Sequence, residues 1–194
     1  MIKIRTPISE DEIRRLDAGD EVEISGILVT GRDAAHKYLI ENEDEQLRRV
    51  LQGTFIYHCG PIVVRENNQY VFKAAGPTTS IREEPYQADV IRKYGLRGVI
   101  GKGGMGKKTL KGLMDYGAVY LHAVGGAAVY IGERIKRVID VYKLEEFGIP
   151  EALWVIEVEN FPVVVTMDSK GRSLHEEILN ESSKRYKSII DNIK

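Results

Sequence analysis

The chain has 194 residues, of which 43% are hydrophobic and 29% charged, and its formal net charge is −1. This composition is typical of a globular protein with a substantial core, and the near-neutral charge argues against a broad nucleic-acid-binding surface while allowing a local anion site. The single cysteine, Cys59, excludes an intrachain disulfide framework. It also excludes an iron–sulfur cluster held by this chain alone, because such clusters take several thiolates.

The N-terminal segment MIKIRTPISEDEIRRL is charged throughout and lacks the apolar core of a secretion signal. No stretch of the chain approaches the ~18 apolar residues that a membrane span needs. We therefore expect a cytoplasmic protein that neither crosses nor binds a membrane.

Strands and helices alternate along the first half of the chain. Residues 21–30 alternate in polarity and carry β-branched side chains, which predicts a strand. The turn at 31–33 leads into a predicted helix that runs to about Leu51, with Asp33 as its N-cap. Asn67-Asn68 is predicted to be a turn between strands. Short strands are predicted over residues 54–57, 62–65 and 70–75.

The second half continues this mixture and contains a strand–helix–strand unit. A helix is predicted over residues 87–94, and the unit that follows consists of a strand (97–100), a glycine turn (101–106), a helix (107–116) and a strand (118–123). Further strands are predicted over residues 138–142, 152–158 and 163–167. This pattern predicts an α/β fold in which one mixed sheet is flanked by helices.

The chain ends in a predicted helix. Ser173 and Glu176 have the spacing of a capping box, which marks the start of a helix. The apolar stripe of this helix consists of Leu174, Ile178, Tyr186, Ile189 and Ile193.

The glycine turn GKGGMG (101–106) matches two nucleotide-binding patterns incompletely. It fits G-x-G-x-x-G after a strand, but the next strand ends without the acidic residue that would hold a ribose. It also fits G-x-x-x-x-G-K, but Lys108 stands where a P-loop needs Ser or Thr. The remaining interpretations are a tight strand-to-helix turn, or an anion site formed by N–H groups at the helix start together with Lys102 or Lys107.

A second group of polar residues follows the strand at 70–75. Thr78, Thr79 and Arg82 lie just after Gly76-Pro77. The planar guanidinium of an arginine matches a carboxylate, and a threonine hydroxyl can pass a proton when a neighbour stabilises its ionised form. The alternative is a Gly-Pro turn with a helix cap and an exposed arginine.

Arg32 follows the strand at 21–30 and is either a surface arginine near a helix cap or a further site residue. His36, one turn into the helix, could face the same site or solvent. His58 and Cys59 suggest a metal-ligand pair, but two adjacent ligands do not make a metal site. We therefore interpret Cys59 as a small buried residue.

Two more histidines have simpler interpretations. His122 lies on an apolar strand and is expected to be a satisfied core histidine, whereas His175 is expected at the surface.

Five segments together resemble one family of enzymes. The chain resembles the beta-type subunit, or C-terminal domain, of the class I iron–sulfur-dependent fumarate hydratases and L-tartrate dehydratases, over a region from about Pro7 to Ile178. The combination GPTTS-x-R followed by GKGG is more specific than either glycine pattern alone. The segments are TGRDAAH (30–36), YHCGP (57–61), AAGPTTSIR (74–82), GVIGKGGM (98–105) and GAVYLHAVGGAA (117–128).

The resemblance implies a fold, a reaction and a partner. The family adds water to C4 dicarboxylates or removes it, and an alpha chain holds a [4Fe-4S] cluster whose open iron acts as a Lewis acid. The beta-type domain has a swivelling β/β/α fold and closes the site from the other side. We therefore expect residues 1–194 to be a single hydro-lyase beta-type domain that acts only in a hetero-oligomer with an alpha subunit and has no cofactor or metal of its own.

The resemblance also implies roles for particular residues. Arg32, Arg82 and Lys102 would bind the substrate carboxylates, and Thr78 would transfer the proton at the substrate carbon. The expected reaction is the reversible hydration of fumarate to L-malate. The alternatives are an L-tartrate dehydratase beta subunit, and a nucleotide- or phosphate-binding module that uses the GKGGMGK turn.

Overall fold

The computed structural model describes residues 1–193, with side chains through residue 191. Its strands are β1 (Ile2–Thr6), β2 (Glu21–Thr30), β3 (Phe55–Tyr57), β4 (Ile62–Glu66), β5 (Gln69–Ala74), β6 (Gly98–Gly101), β7 (Val119–His122), β8 (Ile135–Tyr142) and β9 (Leu153–Met167). Its helices are α1 (Glu10–Ile13), α2 (Asp33–Glu41), α3 (Glu45–Leu51), α4 (Gln87–Tyr94), α5 (Lys107–Tyr116), α6 (Ala128–Gly132), α7 (Leu144–Phe147) and α8 (Leu174–Ile193), with a 3-10 turn at Ser80–Glu83.

The main sheet is mixed and closes on itself. Its strand order is β1-β2-β3-β6-β7-β9-β8, and β2 also pairs with β9, so the strands β2, β3, β6, β7 and β9 form a closed circuit. The pairs β1–β2, β2–β3, β3–β6 and β6–β7 are parallel, whereas β9 runs antiparallel to its neighbours. The predicted α/β class, with a mixed sheet flanked by helices, is confirmed.

Two apolar clusters lie on the two faces of this sheet. Because successive side chains of a strand point to opposite faces, Ile56 and Val99 pack with α2, α3, α4 and α5, while Phe55, Ile100 and Leu121 pack on the other face. The helices α2, α3, α4 and α5 therefore cover one face of the sheet.

The prediction of a single helix over residues 33–51 is wrong, because the helix is interrupted between Glu41 and Glu45. Asn42 is extended, with φ −123° and ψ 147°. The side chain of Asp44 then accepts hydrogen bonds from the N–H groups of Gln46 and Leu47 and starts a second helix. A side-chain cap of this kind satisfies N–H groups that have no partner inside the helix, and so favours a new start.

The two strands predicted over residues 152–158 and 163–167 are one continuous strand, β9. Asn160 lies in its middle with φ 50°, and the β2–β9 register shifts between Ile24 and Gly26. This irregular strand pairs with β2 from Val155 to Val164, with β8 along its first half and with β7 at its end. The strand β1 and the short helices α1, α6 and α7 were not predicted, and β8 begins earlier than expected.

The predicted capping interaction at the last helix is present in part. The N–H of Glu176 donates to Ser173 Oγ at 3.4 Å. Along the predicted apolar stripe, Ile178, Tyr186 and Ile189 are exposed, whereas the side chain of Ile193 lies outside the described side chains. Over the described residues, the helices include none that is long and apolar enough to cross a membrane.

Candidate active site

The carboxyl ends of parallel strands bring the predicted site residues to one edge of the sheet. Arg32 follows β2, His58 follows β3 and Lys102 follows β6. Because these strands are neighbours and run in the same direction, the residues after them meet at the same edge. Ligands of parallel α/β sheets commonly bind at this edge.

The segment 77–82 lies across this edge and is fixed by backbone hydrogen bonds. The N–H of Thr78 donates to the carbonyl of His58 at 2.6 Å, and the N–H of Lys102 donates to the carbonyl of Thr78 at 3.2 Å. The N–H of Ser80 donates back to the carbonyl of Lys102 at 3.0 Å. A Cβ on Gly101 would overlap Ser80 Oγ, so this close approach requires glycine. The structure thus places Thr78 directly beside Lys102.

Arg32 is held at the start of α2. Its Nε lies 3.3 Å from Glu151 Oε1, and Glu151 Oε2 also accepts a hydrogen bond from the N–H of Ala34 at 3.1 Å. The guanidinium lies against Gly60, where a Cβ would come within 2.5 Å of Arg32 Nη1. One carboxylate therefore binds both the arginine and the N-terminus of the helix.

Arg82 joins the same region through Asp33. The Arg82 guanidinium forms an ion pair with the Asp33 carboxylate, and the side chain of Arg82 is 54% exposed. The prediction of Asp33 as N-cap is wrong, because Arg32 occupies the N-cap position in an extended conformation and the Asp33 side chain is turned toward Arg82. Both arginines thus have a carboxylate partner from this chain but remain partly accessible.

The N-terminus of α5, where a phosphate would bind, is occupied by Glu84. Its carboxylate accepts hydrogen bonds from the N–H groups of Gly106 at 2.7 Å, Lys108 at 3.0 Å and Thr109 at 3.2 Å. The interpretation of the helix start as an anion site is therefore wrong, since the free N–H groups on which such a site depends are already used. Lys107 is exposed, whereas Lys102 is partly buried.

Behind the edge lies a buried chain of polar side chains. Gln87 Oε1 is 2.9 Å from His36 Nε2 and 2.8 Å from His58 Nε2. Ser80 Oγ is 2.9 Å from His58 Nδ1 and accepts a hydrogen bond from the Tyr120 hydroxyl at 2.9 Å. His36 therefore faces neither solvent nor the site. This chain of contacts ties the 3-10 turn to α2, α4 and β7.

Burial keeps His36 and His58 neutral, because it lowers the pKa of each imidazole. His36 Nδ1 lies 2.9 Å from the carbonyl of Arg32, which can only accept, so the neutral ring carries its proton there and must accept at Nε2. Rotating the Gln87 amide by a half-turn would turn its NH2 group toward His36 Nε2 and supply the hydrogen-bond donor that this nitrogen needs. The rotation would also turn the amide nitrogen toward His58 Nε2, because Gln87 Oε1 contacts both imidazoles.

The donor atoms of this chain do not fit an iron–sulfur cluster. Cys59 is buried as expected, and burial raises the pKa of its thiol to about 12, whereas a cluster ligand must be a thiolate. Within residues 1–193, no group of three or more His, Cys, Asp or Glu side chains is placed to hold a metal ion.

The two remaining histidines lie beside the glycine turn, and the prediction of His122 as a satisfied core histidine is wrong. His175 is partly buried, its Nε2 is 3.0 Å from Thr166 Oγ1, and a Cβ on Gly104 would come within 2.5 Å of His175 Cδ2. His122 has a buried Nδ1 without a partner among the described residues.

The fold is that of a mixed α/β domain whose sheet edge carries Arg32, Arg82 and Lys102. The chain belongs to the Fumarase C-terminus family, whose model matches residues 1–178.

Three relatives show how this domain occurs in other proteins. The chain is 54% identical to the "Putative fumarate hydratase class I" of Geobacillus stearothermophilus over 94% of its own length, but it spans only 35% of that relative. It is 40% identical to the "Putative L(+)-tartrate dehydratase subunit beta" of Methanocaldococcus jannaschii, covering 94% of this chain and 95% of the relative. It is 34% identical to the L(+)-tartrate dehydratase subunit beta of Escherichia coli K12, covering 98% and 94%.

Proposed function

We propose that this chain is the beta-type half of a [4Fe-4S] hydro-lyase that hydrates fumarate reversibly to L-malate. The observation that carries the proposal is the meeting of Arg32, Thr78, Arg82 and Lys102 at one edge of the sheet. Membership of the family and the similarity to a relative named fumarate hydratase support it. We also propose that residues 1–194 form a single domain and that the protein lies in the cytoplasm.

In this proposal the residues of the chain divide the work between binding and proton transfer. Arg32, Arg82 and Lys102 bind the two carboxylates of the substrate. In the dehydration direction, the proton on the carbon beside a carboxylate leaves through the hydroxyl of Thr78, whose backbone is fixed between His58 and Lys102, and in the hydration direction it returns by the same route. Removing this proton builds up negative charge, which fixed cations stabilise more in the transition state than in the ground state.

The exposure of the site favours a partner that covers it. Arg82 is 54% exposed, and the apolar side chains around the edge are also open to solvent, with Ile81 51%, Val124 60% and Val129 63% exposed. Reactions that build up charge benefit from a site that excludes water. We therefore propose that an alpha subunit carrying the [4Fe-4S] cluster closes this face, and that its open iron supplies the Lewis acid for the substrate hydroxyl.

A second candidate is the beta subunit of an L-tartrate dehydratase. The observation that favours it is coverage, because the relatives that this chain matches over nearly their whole length carry that name. Tartrate has one hydroxyl more than malate, and a site that hydrogen-bonds this hydroxyl should discriminate strongly between the two. Assays of the assembled enzyme with fumarate, L-malate and L-tartrate under anaerobic conditions separate the candidates.

We predict that the chain alone neither holds a cluster nor catalyses hydration. The physical reason is its single thiol, which is buried and protonated. The test is anaerobic reconstitution with iron and sulfide, followed by absorbance, iron analysis and turnover, with the co-expressed alpha and beta chains as the positive control. A stoichiometric cluster or turnover in the lone chain would contradict the two-chain proposal.

We also predict that Arg82→Lys impairs the assembled enzyme although it keeps the charge. A lysine cannot offer two parallel N–H donors to a carboxylate, so kcat/KM should fall at least about tenfold, which corresponds to about 1.4 kcal/mol. The matched control is Arg92→Lys, at an arginine whose side chain is 62% exposed and pairs with Asp89. Equal losses in the two variants would remove Arg82 from carboxylate binding.

A further inference from the structure

A buried carboxyl group lies next to Arg82. Glu83 ends the 3-10 turn Ser80–Glu83, and its side chain is 0% exposed. Neither of its carboxyl oxygens accepts a hydrogen bond from a donor within residues 1–193. Since an ionised carboxylate without donors is strongly unfavourable in a protein interior, this environment favours the neutral acid, which has a proton to donate.

The groups that face Glu83 also favour the neutral acid. Burial, the hydrogen bond and charge of Asp33, and the charge of Glu151 raise the pKa of Glu83 to about 8, against the lowering effect of Arg82. On α2, His36 Nδ1 lies 3.6 Å from Glu83 Oε2. Burial lowers the pKa of His36, so this imidazole offers no positive charge to Glu83 at neutral pH.

The protonation state of Glu83 decides the net charge of the candidate site. The cations are Arg32, Arg82 and Lys102, and two carboxylates, Asp33 and Glu151, pair with the arginines. With Glu83 neutral, the site keeps one net positive charge, whereas ionised Glu83 cancels it.

We propose that Glu83 stays protonated in the working enzyme and donates its O–H to Asp33, which weakens the hold of Asp33 on Arg82 and frees Arg82 for a substrate carboxylate. Glu83 is thus a positioning residue that acts through Asp33 without touching the substrate. Ionised Glu83 withdraws the donor from Asp33, which then binds Arg82 more tightly. The affinity for a dianion therefore falls as the pH rises through the pKa of Glu83. The inference rests on the proposed function for the class of anion.

The test measures the affinity of the assembled alpha–beta protein for succinate, an unreactive C4 dicarboxylate, by calorimetry at about pH 7 and about pH 9. We expect the wild-type dissociation constant to rise about tenfold between the two, by the Coulomb effect of one added negative charge near the site. Glu83→Gln, which keeps a donor toward Asp33 but cannot ionise, should abolish most of this rise.

Two further variants separate charge from packing. Glu83→Met cannot ionise either and also lacks the donor, so it should show no alkaline rise but bind succinate more weakly than Glu83→Gln at about pH 7. The matched control, Glu145→Gln, removes an exposed carboxylate on α7 and should keep the wild-type rise. The proposal is overturned if Glu83→Gln shows the same rise as wild type, or if wild type shows none.

A second measurement does not depend on the enzyme's reaction. In the full chain with carbon-13-labelled glutamate, one carboxyl resonance should titrate near pH 8, as expected for Glu83, and should be missing in Glu83→Gln. Titration of every glutamate in the ordinary acid range would overturn the proposal. If neither fumarate nor tartrate is turned over but the Glu83-dependent change in succinate affinity is found, the proposed function fails and the inference about Glu83 stands.

Discussion

Thr78→Val should lower kcat of the assembled enzyme by roughly 10²–10⁴-fold, the range that one positioned proton-transfer group contributes. Valine keeps the branched shape of threonine and removes only the hydroxyl. The position of residue 78 depends on its backbone, whose N–H donates to His58 and whose carbonyl accepts from Lys102. The substitution leaves both backbone bonds in place, so the loss should appear in turnover while the fold is retained.

The adjacent threonine provides the matched control. Thr79 is exposed, whereas Thr78 is partly buried, and Thr79→Val should reduce kcat far less. Circular dichroism and thermal unfolding of both variants check that the fold is intact. If Thr79→Val causes the larger loss, the proton-transfer residue has been placed one position too early.

The places of Arg32 and Lys102 in the fold could be predicted because the signals are local, whereas their assignment to a site came from the family resemblance. Arg32 and Lys102 each follow a predicted strand, and a helix between two strands of one sheet is typical of parallel pairing. The relative order of the strands could not be predicted, because closure of the sheet depends on β2 pairing with both β3 and β9. A single irregular strand of 15 residues makes that closure, and the sequence around Asn160 and Pro162 is more typical of a break.

The partners of the site residues could not be predicted, because they come from distant parts of the chain. Asp33 and Arg82 are separated by 49 positions, and the Glu151 carboxylate reaches Ala34 across 117 positions. Glu84 caps α5 from 22 positions before Gly106, and no local pattern marks it as a cap. Glu83 and Glu84 look alike in the sequence, yet one is buried without a donor and the other accepts several hydrogen bonds.

These carboxylates explain how a cationic edge can exist without a bound anion. Unpaired arginines close together repel each other, and a neighbouring carboxylate offsets this repulsion. Glu151 pairs with Arg32 and Asp33 pairs with Arg82, so each arginine has a carboxylate partner from this chain. In the proposed enzyme, a dicarboxylate would compete with these carboxylates for the arginines.

Lys102→Met should remove most of the activity of the assembled enzyme, whereas Lys107→Met should have little effect. Loss of one charge-assisted contact to a desolvated carboxylate should reduce transition-state stabilisation by about 2–4 kcal/mol, by analogy with other electrostatic sites. Lys107 is exposed at the start of α5, and an exposed charge contributes about 0–1 kcal/mol. The measurement is kcat/KM for fumarate and L-malate in both variants.

The same pair of variants tests the nucleotide-binding alternative. In a P-loop the important lysine occupies the position of Lys107, and the N–H groups of the following helix hold the phosphates. Glu84 already accepts from three of those N–H groups, so calorimetry with ATP or GTP should detect no binding to wild type. Glu84→Gln removes the negative charge of the capping carboxylate. This variant would show whether the N-terminus of α5 then gains affinity for phosphate. Nucleotide binding by wild type that is lost in Lys107→Met, with Lys102→Met unaffected, would overturn the assignment of this turn to a dicarboxylate site.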